Sequence, residues 1–143
     1  MNTNPDYAAF VLRTSLGAVL IAHSLYLKLF VFTLAGTAQF FGSIGLPPSL
    51  AYVVFAIEAI AGIALVLGFH SRIAAAAAVP VLLGATWAHW PAGWLFTNQN
   101  GGWEYPLFLT LTAVVVTLLG DGALAISKRF NRTKESLAPV HSH

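Results

Sequence analysis

Glu58 is the one formal charge between Leu50 and Phe69, in an apolar stretch long enough to cross a bilayer. An ionised carboxylate at the centre of such a helix costs roughly 3 kcal/mol. A residue kept at that cost usually pairs with an opposite charge or handles a proton, an ion or a substrate. Lys28 and Arg13 lie in the preceding apolar segment and are the candidate partners. A cation beside a carboxylate tunes its proton affinity, and it can also hold an anionic ligand. His23 and His89 add imidazoles, the side chains suited to proton transfer near neutral pH. Glu58, His23 and His89 are therefore the candidate catalytic set. Arg13, Lys28, Ser24, Trp103 and Glu104 are the candidate ligand contacts.

The composition says where this chemistry takes place. Of the 143 residues, 57% are hydrophobic and 8% are charged. A soluble domain carries about 25% charged residues, so this is an integral membrane protein. It is too short for two substantial domains. The absence of cysteine excludes disulfide exchange, thiolate nucleophiles, Cys-ligated metals and Cys-bound iron–sulfur clusters. No phosphate-binding glycine loop, nucleophile elbow or zinc signature is present. The pI near 9.2 comes from a basic run after the last apolar segment. It is an orientation signal rather than a nucleic-acid surface. The first apolar segment already contains Arg13 and His23, with no small-residue cleavage site after it, and reads as a retained helix.

Four apolar segments must position the candidate residues: 8–34, 50–69, 73–90 and 105–126. Each is near or above the roughly 17–20 residues that span a bilayer. The fold class is all-α, an integral-membrane four-helix bundle occupying residues 1–127, with a basic cytoplasmic tail at 128–143. Residues 37–48 should form a short interfacial helix or re-entrant turn after helix one. Pro47 and Pro48 should end that connection and start the second span, and Pro80 should kink the third. Arg13, Arg72 and the tail fall on one side of a four-span chain, which places both termini in the cytoplasm of a bacterial inner membrane.

Depth along the helices, at about 1.5 Å per residue, sorts the charges into two groups. Arg13, Arg72 and Asp121 lie toward the cytoplasmic end and suit a structural ion-pair cluster. Lys28, Glu58, His23, His89 and Glu104 lie in the outer half, where all four spans contribute an ionisable group. Arg13, Gly17, Ser24 and Lys28 share one helix face, and His23 lies off it. Glu58 and Gly62 share a face of the second span, where Gly62 lets another helix approach. Glu58 is expected to pair with Lys28, or with Arg13 after a helix tilt, and a purely structural pair has equal standing with a functional one. Trp87, Trp90, Trp94 and Trp103 suit an interfacial belt better than a lid over a ligand. Haem between His23 and His89 is disfavoured by their different depths. His89 and Glu104 alone are too few ligands to argue a metal site.

Taken together, several elements carry a family resemblance. They are Arg13; His23 with Lys28-Leu29-Phe30; Phe40-Phe41 before Gly45-Leu46-Pro47; Glu58 with Gly62; Gly68 with Arg72; His89; Gly101-Gly102-Trp103-Glu104; and Gly120-Asp121-Gly122. In order and spacing the chain resembles the DoxX family of small four-helix membrane proteins. It departs from the family's frequent His-Gly at His23-Ser24. The resemblance implies a subunit or small enzyme of quinone-linked membrane redox metabolism. Glu58 and His23 would pass protons, while Lys28 and Arg13 would hold an anionic partner. The partners implied are lipid, a quinone, and a redox subunit or further copies of the chain, with no nucleic acid. The alternatives are a carrier of protons or small molecules, and a non-catalytic assembly subunit.

Overall fold

The computed structural model describes residues 3–128, and among the described residues the chain is helical with no strand. Helix α1 covers Asn4–Val31. It is α-helical over Asn4–Ile21 and π-helical over Ala22–Val31. Its start is closed by Asp6, whose carboxylate accepts from the Thr3 N–H at 3.0 Å. Thr33 reverses the chain at a left-handed φ of 63°, and its hydroxyl accepts from the Gly36 N–H. Helix α2, Leu34–Ser43, is the short element expected after the first span. The carbonyls of Pro47 and Pro48 then accept from the N–H groups of Leu50 and Ala51, opening α3 at Leu50–Leu67. Gly68, at φ 69°, ends α3 in a left-handed cap, a conformation that favours glycine. Helix α4, Ser71–His89, continues through Pro80 and is followed by a 3-10 turn, Trp90–Ala92. Helix α5 is Glu104–Leu119.

The last helix stops well before the expected residue 126. Gly120 and Gly122 take φ of 83° and 63°, and the turned chain lets the Ala123 N–H donate to the Asp6 carbonyl at 2.8 Å. A Cβ on Gly122 would sit 2.6 Å from that carbonyl oxygen, so the turn requires glycine there. Helices α1, α3 and α4 with its 3-10 extension are long and apolar enough to cross a membrane, while α5 is a shorter apolar helix of 16 residues.

The four long helices form a closed ring. Each packs antiparallel on the next in sequence, and α5 closes against α1. Leu16, Leu20, Leu65, Leu82, Ala113 and Val116 fill the centre. Large apolar side chains such as Ile60, Ile73, Phe108 and Leu118 point outward, as a lipid-facing surface requires. At the crossing of α1 and α3 the backbones almost touch. A Cβ on Gly17 would lie 2.8 Å from the Gly62 carbonyl oxygen, and one on Gly62 would lie 3.0 Å from that of Gly17. The short helix α2 packs over both α3 and the π-helical end of α1.

Candidate functional site

The glycine crossing sets the register that brings Lys28 to Glu58. Lys28 lies farther from the crossing along α1 than Glu58 does along α3. Side chains on a helix lean toward its N-terminus. On antiparallel helices these two therefore lean toward each other and close the gap. Lys28 Nζ donates to Glu58 Oε2 at 2.6 Å, with the two side chains 16% and 7% exposed. The expected pairing is thus present, with Lys28 rather than Arg13 as the partner.

The segment that carries Lys28, His23 and Ser24 is the π-helix. Such i→i+5 bonding is rare and concentrates at functional sites. Regular 3.6-residue phasing could not foresee it, and no residue type in this stretch announces it. Ser24 is fully buried, and its hydroxyl donates to the Leu20 carbonyl at 2.8 Å. His23 packs beside Tyr105 of α5, ring centroids 6.4 Å apart, so its off-face position turns it toward a different neighbour. His23 Nδ1 lies 2.9 Å from the Val19 carbonyl and His89 Nδ1 lies 2.8 Å from the Ala85 carbonyl. A carbonyl only accepts, so Nδ1 carries the proton in both rings. Nε2 is then the nitrogen left for a proton or ligand.

Trp103 and Glu104 serve the link between α4 and α5. Trp103 stacks on Trp90 and meets Trp94 edge-on, both at 4.4 Å. The Glu104 carboxylate accepts from the Phe96 N–H at 2.9 Å. Gly102 packs so closely on the Trp94 and Leu95 carbonyls that no side chain fits, and the His89 ring lies against Gly101. These contacts fold the link on itself. The contacts made by Trp103 and Glu104 lie within this link and do not join the Lys28–Glu58 pair.

Arg13 also stands apart from the Lys28–Glu58 pair. It is fully buried, at the opposite end of α1 from Lys28. Its Nη1 donates to the carbonyls of Leu65 and Val66 at 2.6 and 2.9 Å. Nε donates to the Asp121 carbonyl at 2.7 Å and Nη2 to that of Ala123 at 3.0 Å. These contacts cap the last turn of α3, where a cation suits the helix dipole, and tie it to the turn after α5. The expected ion-pair cluster is absent among the described residues, because the Asp121 carboxylate faces elsewhere. It accepts from the Ser71 N–H at 2.8 Å, at the start of α4, and from the Ser127 hydroxyl at 2.5 Å. Burial pushes the Asp121 carboxyl up, but hydrogen bonds from Ser127 and Ser71 outweigh it and hold the group below the ordinary carboxylate value. Arg72 lies against Gly120. The glycines at 68, 120 and 122 were the available signal that chain turns converge around Arg13.

The comparisons agree with this architecture. The DoxX family profile matches residues 8–90. A Bacillus subtilis (strain 168) protein named "Putative oxidoreductase CatD" is 34% identical over 126 residues, which cover 88% of this chain and 89% of that protein. No solved structure matches the chain. With more than half its length matched by the profile and a relative aligned nearly end to end, this membrane protein belongs to the DoxX family.

Proposed function

We propose that this chain is a multi-pass protein of the bacterial inner membrane, acting as a subunit or small enzyme of quinone-linked redox metabolism. Its polar site would face the outer half of the bilayer. The observation that carries this reading is the largely buried Lys28–Glu58 pair, which joins the π-helical end of α1 to the apolar helix α3. The oxidoreductase name of the B. subtilis relative supports the reaction class. The positive-inside rule supports the orientation, because Arg13, Arg72 and Lys128 gather at the end where the described termini meet.

A quinone head fits the residues present. It needs hydrogen-bond donors for its carbonyl oxygens and an apolar approach. The Lys28 ammonium supplies donors, and the exposed Tyr26 and Phe30 on the same π-helix flank the lipid side. A bound quinone would supply the capacity to accept two electrons and two protons. Glu58 is placed to hold one proton beside Lys28. In this reading His23 would exchange another through Nε2. Electrons come from a reductant or from a partner subunit.

Native mass spectrometry of the protein released in mild detergent tests this first. A retained quinone, or a co-purifying redox subunit, is the expected result. Glu58→Gln should then lower quinone-dependent turnover about 100-fold, followed by quinol absorbance. A protein that carries neither quinone nor redox partner rejects the redox assignment in favour of a carrier or an assembly subunit.

A further inference from the structure

The paired state of Lys28 and Glu58 is electrically neutral, and that constrains what else the site can take. The pair is largely buried between the π-helical end of α1 and α3, two elements that α2 also packs against. An ammonium has three N–H donors, and Lys28 gives its one side-chain hydrogen bond to Glu58. Donors therefore remain for a second acceptor. An anion reaching them would leave one net negative charge among apolar helices, which is strongly disfavoured.

Among the described residues, no other cation is placed to cancel that charge. Arg13 serves carbonyls at the far end of α1, Arg72 lies against Gly120, and Lys128 pairs with Asp6 at 2.9 Å. The remaining titratable groups toward the Lys28 end are His23 and Tyr26 on α1, Tyr52 on α3, His89 on α4, and Glu104 and Tyr105 on α5. Helix α2 has none. His23 and His89 bond their own helices, Glu104 bonds Phe96, and Glu58 bonds Lys28 alone. A compensating proton therefore belongs on Glu58. Protonation would also turn that carboxyl from an acceptor into a donor aimed at the incoming anion.

We propose that the Lys28–Glu58 site binds a monoanion, a carboxylate or a singly charged oxyanion, together with one proton taken up by Glu58. This deepens the functional reading and rests on the pair being a ligand site. A dianion is selected against, because the same proton leaves one charge uncompensated.

Isothermal titration of the full chain with acetate and benzoate, in buffers of different ionisation heat, tests the proposal. About one proton should be taken up per carboxylate, and affinity should fall about tenfold per pH unit on the alkaline side. Sulfate should bind at least about tenfold more weakly. Lys28→Met should abolish binding. Glu58→Gln should bind benzoate with no proton uptake and a flat pH profile. The neutral double variant Lys28→Gln/Glu58→Gln keeps the charge balance, so it should fold and bind nothing. Binding without proton uptake in the parent protein overturns the proposal. So does proton uptake that survives Glu58→Gln, binding that survives in the double variant, or no binding of either carboxylate. The proton count involves no electron transfer. A protein that passes this test but lacks any quinone activity loses only the redox reading.

Discussion

A single guanidinium holds two chain reversals together at one end of this protein. Arg13 donates to carbonyls that close α3 and to carbonyls of the turn after α5. Charge-assisted hydrogen bonds of this kind contribute about 1.5–3 kcal/mol each, and their loss strands buried carbonyls. Arg13→Met should therefore lower stability by about 3 kcal/mol or more. Arg13→Lys should recover only part, because an ammonium cannot span a guanidinium's fork. Unfolding in detergent measures both, and a wild-type midpoint for Arg13→Met would reject the role. The sequence does place Arg13 and Asp121 at one end. It does not show that the guanidinium serves carbonyls, because charge counting ignores backbone acceptors. Lys28–Glu58 was more legible: α3 offers one acid, so the choice of partner was narrow.

At the scale of elements, the α1–α3 crossing controls the site. Gly17 faces the Gly62 carbonyl and Val66 Cγ2, with 2.8 and 2.9 Å available to a Cβ. Gly17→Val should push the helices apart, cost about 1–3 kcal/mol and weaken benzoate binding by disturbing the Lys28–Glu58 register. Gly84 has open space around it. Gly84→Ala should leave binding unchanged and stabilise α4 by up to about 1 kcal/mol. Paired unfolding and titration measurements check both, and equal effects at the two glycines would sink the crossing argument. Gly62 beside Glu58 was readable as a close approach from its four-residue spacing. The π-helix was not, because 3.6-residue phasing is assumed before it is tested. The stop of α5 at Leu119 was half visible in Gly120-Asp121-Gly122. Its cause is a contact with Asp6, far away in sequence.

At the scale of the whole molecule, the ring of antiparallel helices brings the two described ends together. Lys128 Nζ lies 2.9 Å from Asp6 Oδ1. The proposed topology, with four crossings, puts both ends in the cytoplasm and the α4–α5 link outside. Single cysteines at Asn4 and Leu124 should be shielded from an impermeant thiol reagent in whole cells, whereas one at Gln99 should react. The chain has no native cysteine, so the background is low, and labelling of all three from outside would reject the topology. Of the expected basic tail at 128–143, residues 129–143 lie outside the described residues.

Membrane residence, helical class and the approximate spans followed from the sequence alone, because hydropathy, length and local turn chemistry are carried by neighbouring residues. Glu58 was also marked in advance, since a lone acid in an apolar span is costly wherever its partner lies. The order of helices around the ring and the partner of each charge needed the tertiary structure. Lys28 and Glu58 are 30 residues apart, and Arg13 reaches carbonyls up to 110 residues away. Such pairings depend on how helices cross and rotate against each other. Here that was decided by two glycines allowing backbones to touch.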